Sequence, residues 1–318
     1  MGQHAEHATP GVGLVCIGEA LMDLTEVTPG PGAAGLYQSH PGGSPFNVAV
    51  GAARLGVPTA FLGSLGGDAL GRRLRGFLEE NGVDTSAARV GTAPTPVSIM
   101  SLKAGEPSYS FYGSPASLCD LRVQDVPEAL VRAAGVVHAG SIGLLHRPAH
   151  EAAVRAFETA PGRTTFDPNV RPGLVADRAE FLSRTERLMA LADVVKLSAE
   201  DAEYLYPDLD REGVARRVLG LGAVAVVLTR ASQGVQAWTP DGVVTVPTAG
   251  LAPAVDTTGG GDSVMAAIVS RLVGLPELPG PDGWDDVLRF AMRVAASTCS
   301  RSGGAEAMPR ADEVAVAS

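Results

Sequence analysis

The sequence predicts an α/β protein of three layers, in which a mostly parallel central sheet is covered by helices on both faces. Short apolar runs alternate with longer stretches of helical periodicity along the 318 residues. Many of the short runs are apolar at every position, as strands buried on both faces are. Hydrophobic residues make up 45% of the chain and charged residues 19%, which is the composition of a folded protein rather than a disordered one.

Six apolar runs predict the strands of this sheet, and the stretches between them predict its helices. In chain order, the predicted strands are Leu14–Ile17, Thr59–Leu62, Val136–Ala139, Thr164–Phe166, Val194–Leu197 and Ala223–Leu228. The predicted helices are Asn47–Leu55, Asp68–Glu80, His150–Glu158, Asp262–Leu272 and Asp285–Thr298. This alternation of strands and helices is typical of a parallel sheet.

Two segments depart from the alternation and predict a second, smaller sheet. Residues 20–40 and 94–114 contain extended stretches in which polar and apolar residues alternate. In the second segment, two such stretches flank a turn at Ala104-Gly-Glu-Pro107, which is the pattern of a hairpin. Ligands of open α/β sheets bind at the carboxyl ends of the strands, so a small sheet projecting there predicts a lid. We expect both segments to belong to one domain of residues 1–318.

Charge and cysteine content exclude several classes of function. The formal net charge is −10 and two of the 25 basic residues are lysines, so general binding to nucleic acid or to a membrane surface is not expected. The three cysteines are far apart and have no metal-binding spacing, which favours a reducing compartment. Residues 1–13 show no pattern of a signal peptide, and no run of 18 apolar residues predicts a membrane span. We therefore expect a cytoplasmic protein.

The strongest local signal is Asp256-Thr-Thr-Gly-Gly-Gly-Asp262, which leads directly into a predicted helix. Three successive glycines allow backbone N–H groups to converge, and the helix N-terminus adds a favourable dipole, so this turn predicts an anion-binding site. Asp262 stands beside that site, where a carboxylate can take a proton from a hydroxyl group. The same residues also fit a plain helix N-cap, and the local sequence leaves both interpretations open.

Two further segments carry candidate binding residues. Gly42-Gly-Ser-Pro-Phe-Asn47 combines two glycines, past which a flat ligand can approach the backbone, with an amide side chain that donates and accepts hydrogen bonds. Asp23 ends the segment Gly18-Glu-Ala-Leu-Met-Asp23, just past the first predicted strand. Each segment alone also fits an ordinary loop, with Asn47 as a helix cap and the acidic residue as a solvated turn carboxylate.

Taken together and in order, these segments resemble the signatures of the PfkB (ribokinase-like) carbohydrate kinases, and most of all the fructokinase and 2-keto-3-deoxygluconate kinase types. The resemblance covers nearly the whole chain. Five more segments are similar to parts of that family: Leu62-Gly-Ser-Leu-Gly-Gly-Asp-Ala-Leu-Gly71, Asp167-Pro-Asn-Val-Arg171, Val195-Lys-Leu-Ser-Ala-Glu-Asp201, Thr229-Arg-Ala-Ser-Gln-Gly234 and Gly304-Ala305. The resemblance implies a ribokinase-like fold and an ATP-dependent transfer of a phosphoryl group to a sugar hydroxyl.

The resemblance also implies roles for individual residues. Asp262 is implied to be the general base, beside an anion hole formed by the turn amides and an arginine at the γ-phosphate or the sugar: Gly259, Gly260, Gly261 and Arg171. The residues implied to bind the sugar are Asp23, Gly42, Gly43, Asn47 and Asp262. The residues implied to line the nucleotide are Lys196, Ser198, Thr229, Gly234, Gly261 and Met292. Mg²⁺ is expected at Asp201 through water, and a monovalent cation such as K⁺ near Asp256 and Thr258.

The segment after Lys196 departs from the family pattern. Relatives usually have Asn-x-x-Glu there, whereas this chain has Ser198-Ala-Glu-Asp201, and its nucleotide loop has Ala231 where glycine is usual. The altered pair keeps open a protein of a different class, which is a sugar sensor with weak catalysis. The intact glycine run and Asp262 argue against that class.

Among sugar kinases the sequence favours fructose as the substrate. Relatives that take keto acids commonly place an arginine just after the lid aromatics, and here Gly113 follows Phe111-Tyr112. An unpaired carboxylate under a lid is costly, so a neutral sugar is expected. Arg171 is the residue that would supply the missing cation, and 2-keto-3-deoxygluconate, ribose and nucleosides stay open as alternatives. The resemblance also implies a homodimer through the lids, which unpaired sheet edges favour.

Overall fold

The computed structural model describes residues 11–27, 35–103, 106–248 and 254–314. Fourteen strands lie in these ranges: β1 (Leu14–Gly18), β2 (Leu21–Val27), β3 (Leu36–Gly42), β4 (Thr59–Gly66), β5 (Val83–Asp84), β6 (Arg89–Gly91), β7 (Val97–Lys103), β8 (Glu106–Tyr112), β9 (Val136–Gly140), β10 (Arg163–Asp167), β11 (Val194–Ser198), β12 (Ala225–Thr229), β13 (Val235–Thr239) and β14 (Gly242–Val246). The same ranges hold eleven α-helices: α1 (Ser44–Arg54), α2 (Ala69–Glu80), α3 (Pro115–Leu118), α4 (Glu128–Ala133), α5 (Arg147–Thr159), α6 (Arg178–Met189), α7 (Ala199–Leu205), α8 (Arg211–Leu221), α9 (Gly260–Leu272), α10 (Pro281–Cys299) and α11 (Ala311–Val314).

Ten strands form the central sheet, in the order β14-β13-β12-β11-β10-β9-β1-β4-β5, with β6 paired to β4. β1 lies between β4 and β9 and is parallel to both. The pairs β12–β13 and β13–β14 are antiparallel. The sheet is therefore mostly parallel, as predicted, and the carboxyl ends of β1 and β9 to β12 meet along one edge.

Apolar clusters cover both faces of this sheet and confirm the three-layer prediction. All residues of β1 are buried, and alternate side chains enter opposite clusters, with Cys16 in one and Ile17 in the other. The first cluster takes in α1, α9 and α10, and the second takes in α5, α6 and α8. Because successive side chains of a strand point to opposite faces, a strand between two helical layers is apolar throughout.

The four remaining strands form the predicted small sheet, in the order β3-β2-β7-β8. β2 follows β1 after two residues, and β3 ends one residue before α1, so this sheet is joined to the carboxyl edge of the central sheet. β7 and β8 pair antiparallel, as the hairpin pattern predicts. Ala104 and Gly105 of the predicted turn, and residues 28–34 of the first segment, lie outside the described residues.

Four helices begin earlier than the sequence predicts; α9 begins at Gly260, and the other three have a proline in their first turn. α1 begins at Ser44, α5 at Arg147 and α10 at Pro281. The first turn tolerates proline because its N–H groups have no partner within the helix. Among the described helices, none combines the length and the apolar character needed to cross a membrane.

Candidate active site

The carboxylate of Asp262 lies in the first turn of α9 and is held by side chains from distant parts of the chain. The Ser44 hydroxyl donates to Oδ1 over 2.7 Å, and the Asn47 amide donates to Oδ2 over 2.7 Å. Ser44 and Asn47 are three residues apart on α1, so they share one face of that helix. Asp262 is 6% exposed, and both carboxylate oxygens are therefore fixed in direction and largely shielded from water.

The glycine turn before Asp262 lets other groups approach the N-terminus of α9 closely. Gly259 caps the helix with a left-handed φ of 75°. The amide of Gly260 donates to the Thr257 carbonyl over 3.1 Å, which leaves the amides of Gly261 and Asp262 as donors that the helix does not use. Two free amides at a helix N-terminus form an anion-binding site. Of the glycine amides predicted to form the anion hole, that of Gly260 is engaged within the turn, and the anion hole itself stays a prediction.

Lys196 lies directly behind this turn, in a buried ion pair with Asp167. The two side chains are 3% and 0% exposed, and Nζ lies 2.7 Å from Oδ2 of Asp167. A Cβ on Gly261 would lie 3.1 Å from Nζ, so the glycine makes room for the ammonium group. Burial alone would lower the pKa of Lys196, but the carboxylates of Asp167, Asp201 and Asp262 outweigh it and hold that pKa above its ordinary value. Lys196 is therefore a fixed positive charge beside the anion site.

Asn169 connects Asp262 to the predicted arginine. Its Nδ2 approaches Oδ1 of Asp262 at 3.4 Å, and its Oδ1 accepts a 2.6 Å hydrogen bond from Arg171. Its φ of 39° is in the left-handed region, which costs energy for any residue with a side chain. Asn169 lies in the segment Asp167-Pro-Asn-Val-Arg171, and the sequence predicts no role for it. The available signal was a short polar residue, tolerant of positive φ, just after a strand and a proline.

Asp23 faces this group from the small sheet, within a transverse row of four paired residues. His40 pairs with Asp23, Asp23 with Ser98, and Ser98 with Phe111. Directly paired residues point to the same face of a sheet, so the row forms one surface. Burial raises the pKa of Asp23 to about 6, against the opposing effects of Ser98 and Arg171.

Three of the residues predicted to bind the sugar, Asn47, Gly42 and Gly43, also have structural roles in the fold, and their contact with a sugar stays a prediction. Asn47 is 5% exposed and its Nδ2 is engaged by Asp262, so it orients that carboxylate. Its Oδ1 is a buried acceptor with no partner in the described part of the chain, and a bound hydroxyl group would satisfy it. A Cβ on Gly42 would lie 2.1 Å from Oδ2 of Asp23, so this glycine provides space for the carboxylate. Gly43 caps α1 with a φ of 107°.

The predicted nucleotide residues are only partly brought together. Ser198 and Thr229 pair directly at the carboxyl ends of β11 and β12, and Ser198 lies two residues after Lys196 on β11. Gly234 closes the following turn with a φ of 92°, and a Cβ there would lie 2.1 Å from the Val246 carbonyl oxygen. Met292 lies on α10, partly buried against the apolar cluster of α9.

Ser198 and Asp201 form a capping box on α7. Oδ2 of Asp201 accepts from the Ser198 amide over 2.9 Å, and the Ser198 hydroxyl accepts from the Asp201 amide over 3.0 Å. Oδ1 of Asp201 accepts from the Val170 amide over 2.7 Å. The sequence did not suggest this structural role, which ties the start of α7 to the segment after Asp167. The magnesium contact of Asp201 stays a prediction.

The carboxylate of Asp256 is likewise held by backbone amides. Oδ1 accepts from Thr258 over 2.9 Å and Oδ2 from Gly303 over 3.0 Å. Burial alone would raise the pKa of Asp256, but these amides outweigh it and lower that pKa. No group of three or more histidine, cysteine or acidic side chains in the described ranges is arranged to hold a metal ion. The monovalent cation at Asp256 and Thr258 stays a prediction.

The arrangement suits one kind of chemistry. An oriented carboxylate, Asp262, can accept a proton from a hydroxyl group that lies between it and the small sheet. The free amides of α9 and the Lys196 ammonium group lie next to it and can stabilise negative charge on a transferred group. Proton acceptor and anion site thus meet at one point.

Comparisons with known proteins agree with this chemistry. A model of the pfkB family carbohydrate kinases matches residues 13–311. The chain is 33% identical over 261 residues to a fructokinase of Rhizobium leguminosarum bv. trifolii, covering 81% of this chain and 79% of that protein. It is 32% identical over 310 residues to fructokinase-1 of Oryza sativa subsp. japonica, covering 95% and 96%. A crystal structure of fructokinase with bound ATP from Xylella fastidiosa superposes with a TM-score of 0.87 at 30% identity, covering 96% of this chain and 97% of that one.

Proposed function

This chain belongs to the pfkB family of carbohydrate kinases, and on that premise we propose that it transfers the γ-phosphoryl group of ATP to a hydroxyl group of fructose. It is an ATP-dependent sugar kinase by family and by its fructokinase relatives. The observation that carries the proposed mechanism is the Asp262 carboxylate, held between Ser44 and Asn47 beside the free amides of α9.

In the proposed reaction, Asp262 accepts the proton of the sugar hydroxyl as that oxygen attacks the γ-phosphorus, and the bond from this phosphorus to the β,γ-bridging oxygen breaks, so that ADP leaves with the bond electrons. The amides of Gly261 and Asp262 and the Lys196 ammonium group stabilise the charge on the transferred phosphoryl group. Mg²⁺ enters with the nucleotide as part of the substrate and neutralises its phosphates. Asp23 and Oδ1 of Asn47 accept hydrogen bonds from the other sugar hydroxyls.

The charges around the proposed sugar position favour a neutral sugar over a keto acid. The transverse row presents the Asp23 carboxylate, which would repel the carboxylate of a keto acid. Nη1 of Arg171 already donates to Asn169 Oδ1 over 2.6 Å and to the Val170 carbonyl over 3.0 Å. The Arg171 guanidinium group, which is the cation that a keto acid would need, is thus already partly engaged by the neighbouring residues Asn169 and Val170.

A substrate panel tests the proposal. We expect kcat/KM with MgATP to be at least about 10-fold higher for fructose than for 2-keto-3-deoxygluconate, ribose or a nucleoside. A factor of this size corresponds to the gain or loss of one charge-assisted hydrogen bond. A higher value for the keto acid would overturn the choice of sugar and assign its carboxylate to Arg171. Fructose binding by calorimetry without ADP release would support the sugar sensor instead.

A further inference from the structure

Glu19 is a buried carboxylate in the two-residue link between β1 and β2. Only 1% of the surface of Glu19 is exposed. Oε1 accepts from the Ser44 amide over 3.2 Å and Oε2 from the Gly143 amide over 2.9 Å. Among the ion pairs of the described residues, none involves Glu19. A buried carboxylate without a cation is costly, and here backbone amides and the Ser141 hydroxyl compensate it.

Two glycines, Gly43 and Gly143, pack closely against the backbone of Glu19. A Cβ on Gly43 would lie 2.8 Å from the Glu19 carbonyl oxygen, and a Cβ on Gly143 would lie 2.8 Å from the Glu19 nitrogen. Real Cβ atoms do not approach other atoms so closely, so both chain segments pack against the Glu19 backbone as tightly as glycine allows. Glu19 cannot move without moving the residue after Gly43, which is Ser44.

Ser44 is bound at both ends. Its amide is held by Glu19, and its hydroxyl donates to Oδ1 of Asp262 over 2.7 Å. We propose that Glu19 is a positioning residue, which sets the direction of the Asp262 carboxylate through Ser44. The proposal rests on the proposed role of Asp262 as the base, and Glu19 itself touches no substrate.

The protonation state of Glu19 gives this role a signature. The carboxylate is a stronger acceptor for both amides than the protonated group, whose hydroxyl oxygen accepts only weakly. Burial raises the pKa of Glu19 to about 7, against the lowering effect of the Gly143 and Ser44 amides and the Ser141 hydroxyl. The pKa of the buried Cys119 thiol is in turn raised by Glu19. Protonation near neutral pH therefore weakens the hydrogen bond to one of the two segments.

Stability and activity respond to this protonation in opposite directions. A carboxyl group whose pKa is raised on folding favours the folded state below that pKa, and this contribution is lost as the pH rises through about 7. Activity through Ser44 needs the ionised form and falls as the pH drops below about 7. A purely structural carboxylate would move both quantities together.

The test is a double-mutant cycle with Glu19→Gln and Ser44→Ala, and Glu26→Gln on the exposed part of β2 as the matched control. We expect E19Q to lower kcat for fructose at least 10-fold, with KM for ATP within twofold and Tm not lowered at pH 8. We expect S44A to lower kcat, and E19Q to add less than a twofold effect in the S44A background. We also expect the wild-type step in kcat near pH 7 to disappear in E19Q and to persist in E26Q.

Three outcomes overturn the proposal. They are a kcat of E19Q within twofold of wild type, multiplicative effects of E19Q and S44A, and an unchanged step near pH 7 in E19Q. Asp262→Asn, measured in parallel, separates this failure from that of the mechanism. If D262N is inactive while E19Q is active, the positioning role alone is wrong. If D262N is active, the base itself is wrong.

Discussion

Asp262 has both carboxylate oxygens in hydrogen bonds with α1, which fix the direction of the group that accepts the proton in the proposed reaction. Asp262→Asn keeps the size of the side chain and removes its basicity. We expect kcat to fall by about 10²–10⁴-fold, while the ATP dissociation constant stays within about threefold, because the turn amides are backbone groups. Steady-state kinetics and calorimetry measure the two effects. Asp285→Asn on the exposed face of α10 is the control, and a D262N rate above about a tenth of wild type contradicts the base.

The Asp23 carboxyl group, on the side of the site where the sugar is proposed to bind, is expected to titrate below neutral pH. Burial raises the pKa of Asp23 to about 6, and its ionised form accepts more strongly from a sugar hydroxyl than its neutral form does. The value of kcat/KM for the sugar should therefore fall as the pH drops through about 6. The raised pKa favours the folded state at low pH, so this loss occurs without unfolding. We expect Asp23→Asn to lower kcat/KM roughly 10- to 150-fold and to abolish the step, with Tm measured at each pH. If the step in kcat/KM near pH 6 persists in D23N, a group other than Asp23 causes it.

At the scale of elements, Asp68 ties α2 to the segment that enters β7. Its Oδ1 accepts from the Gly71 amide over 2.8 Å, and its Oδ2 from the Thr95 amide over 2.8 Å. Asp68→Ala loses a helix cap, which costs about 1–2 kcal/mol, and also frees the small sheet. We expect a lower Tm and a higher KM for the sugar. Asp210→Ala removes a cap of the same kind from α8 and should lower Tm alone. An unchanged sugar KM in D68A would show that this tie does not position Asp23.

The contribution of Asp68 to stability also depends on pH. Burial alone would raise the pKa of Asp68, but the hydrogen bonds from Thr95 and Gly71 outweigh it and lower that pKa. A carboxyl group whose pKa is lowered on folding stabilises the protein above its ordinary pKa and loses this effect as the pH falls below it. The Tm difference between wild type and D68A should therefore shrink in acid.

The nucleotide loop contains Ala231 where relatives usually have glycine, and the structure gives it a left-handed φ of 44°. A side chain in that region costs about 1–2 kcal/mol, of which the greater freedom of glycine in the unfolded chain offsets part. We expect Ala231→Gly to raise Tm by about 1–3 °C. Ala190→Gly, at a right-handed φ of −68°, should lower Tm. A lower Tm for both variants would show that the loop carries no such strain.

Elements and site differ in how much of them the sequence predicts. The strand and helix order of the sheet follows from apolar runs such as β1, since burial on both faces leaves a direct mark on composition. The sequence does not predict the antiparallel strands β13 and β14, because several of their residues are partly exposed and they do not form a fully apolar run. Asp262 and its glycine turn stand in one short segment, so the sequence alone is enough to predict an anion site beside a carboxylate there. Ser44 and Asn169 act through contacts across the fold, which spacing along the chain does not encode.

For the whole molecule, the small sheet leaves two edge strands and exposed apolar side chains. Leu36 and Tyr37 on β3 are 58% and 49% exposed, and Tyr112 on β8 is 59% exposed. We expect these edges to pair in a homodimer, because open edges and apolar surface favour association. Sedimentation should give twice the mass of the 32.5 kDa chain. Leu36→Asp with Tyr37→Asp should give the monomer, whereas Val243→Asp on β14 should not. A wild-type monomer at micromolar concentration contradicts the dimer.

Ser44 and Asp262 stand 218 positions apart in the chain, and His40 and Glu306 stand 266 apart. On the ribosome, at about 5–20 residues per second, roughly 10–45 s separate the synthesis of Ser44 from that of Asp262. Throughout this interval the nascent chain carries α1 without α9, so the part of α1 around Gly51, which packs against Ala266 of α9 in the folded protein, lacks its partner. The unfinished protein therefore presents to chaperones an apolar helix surface that is buried once α9 has been synthesised.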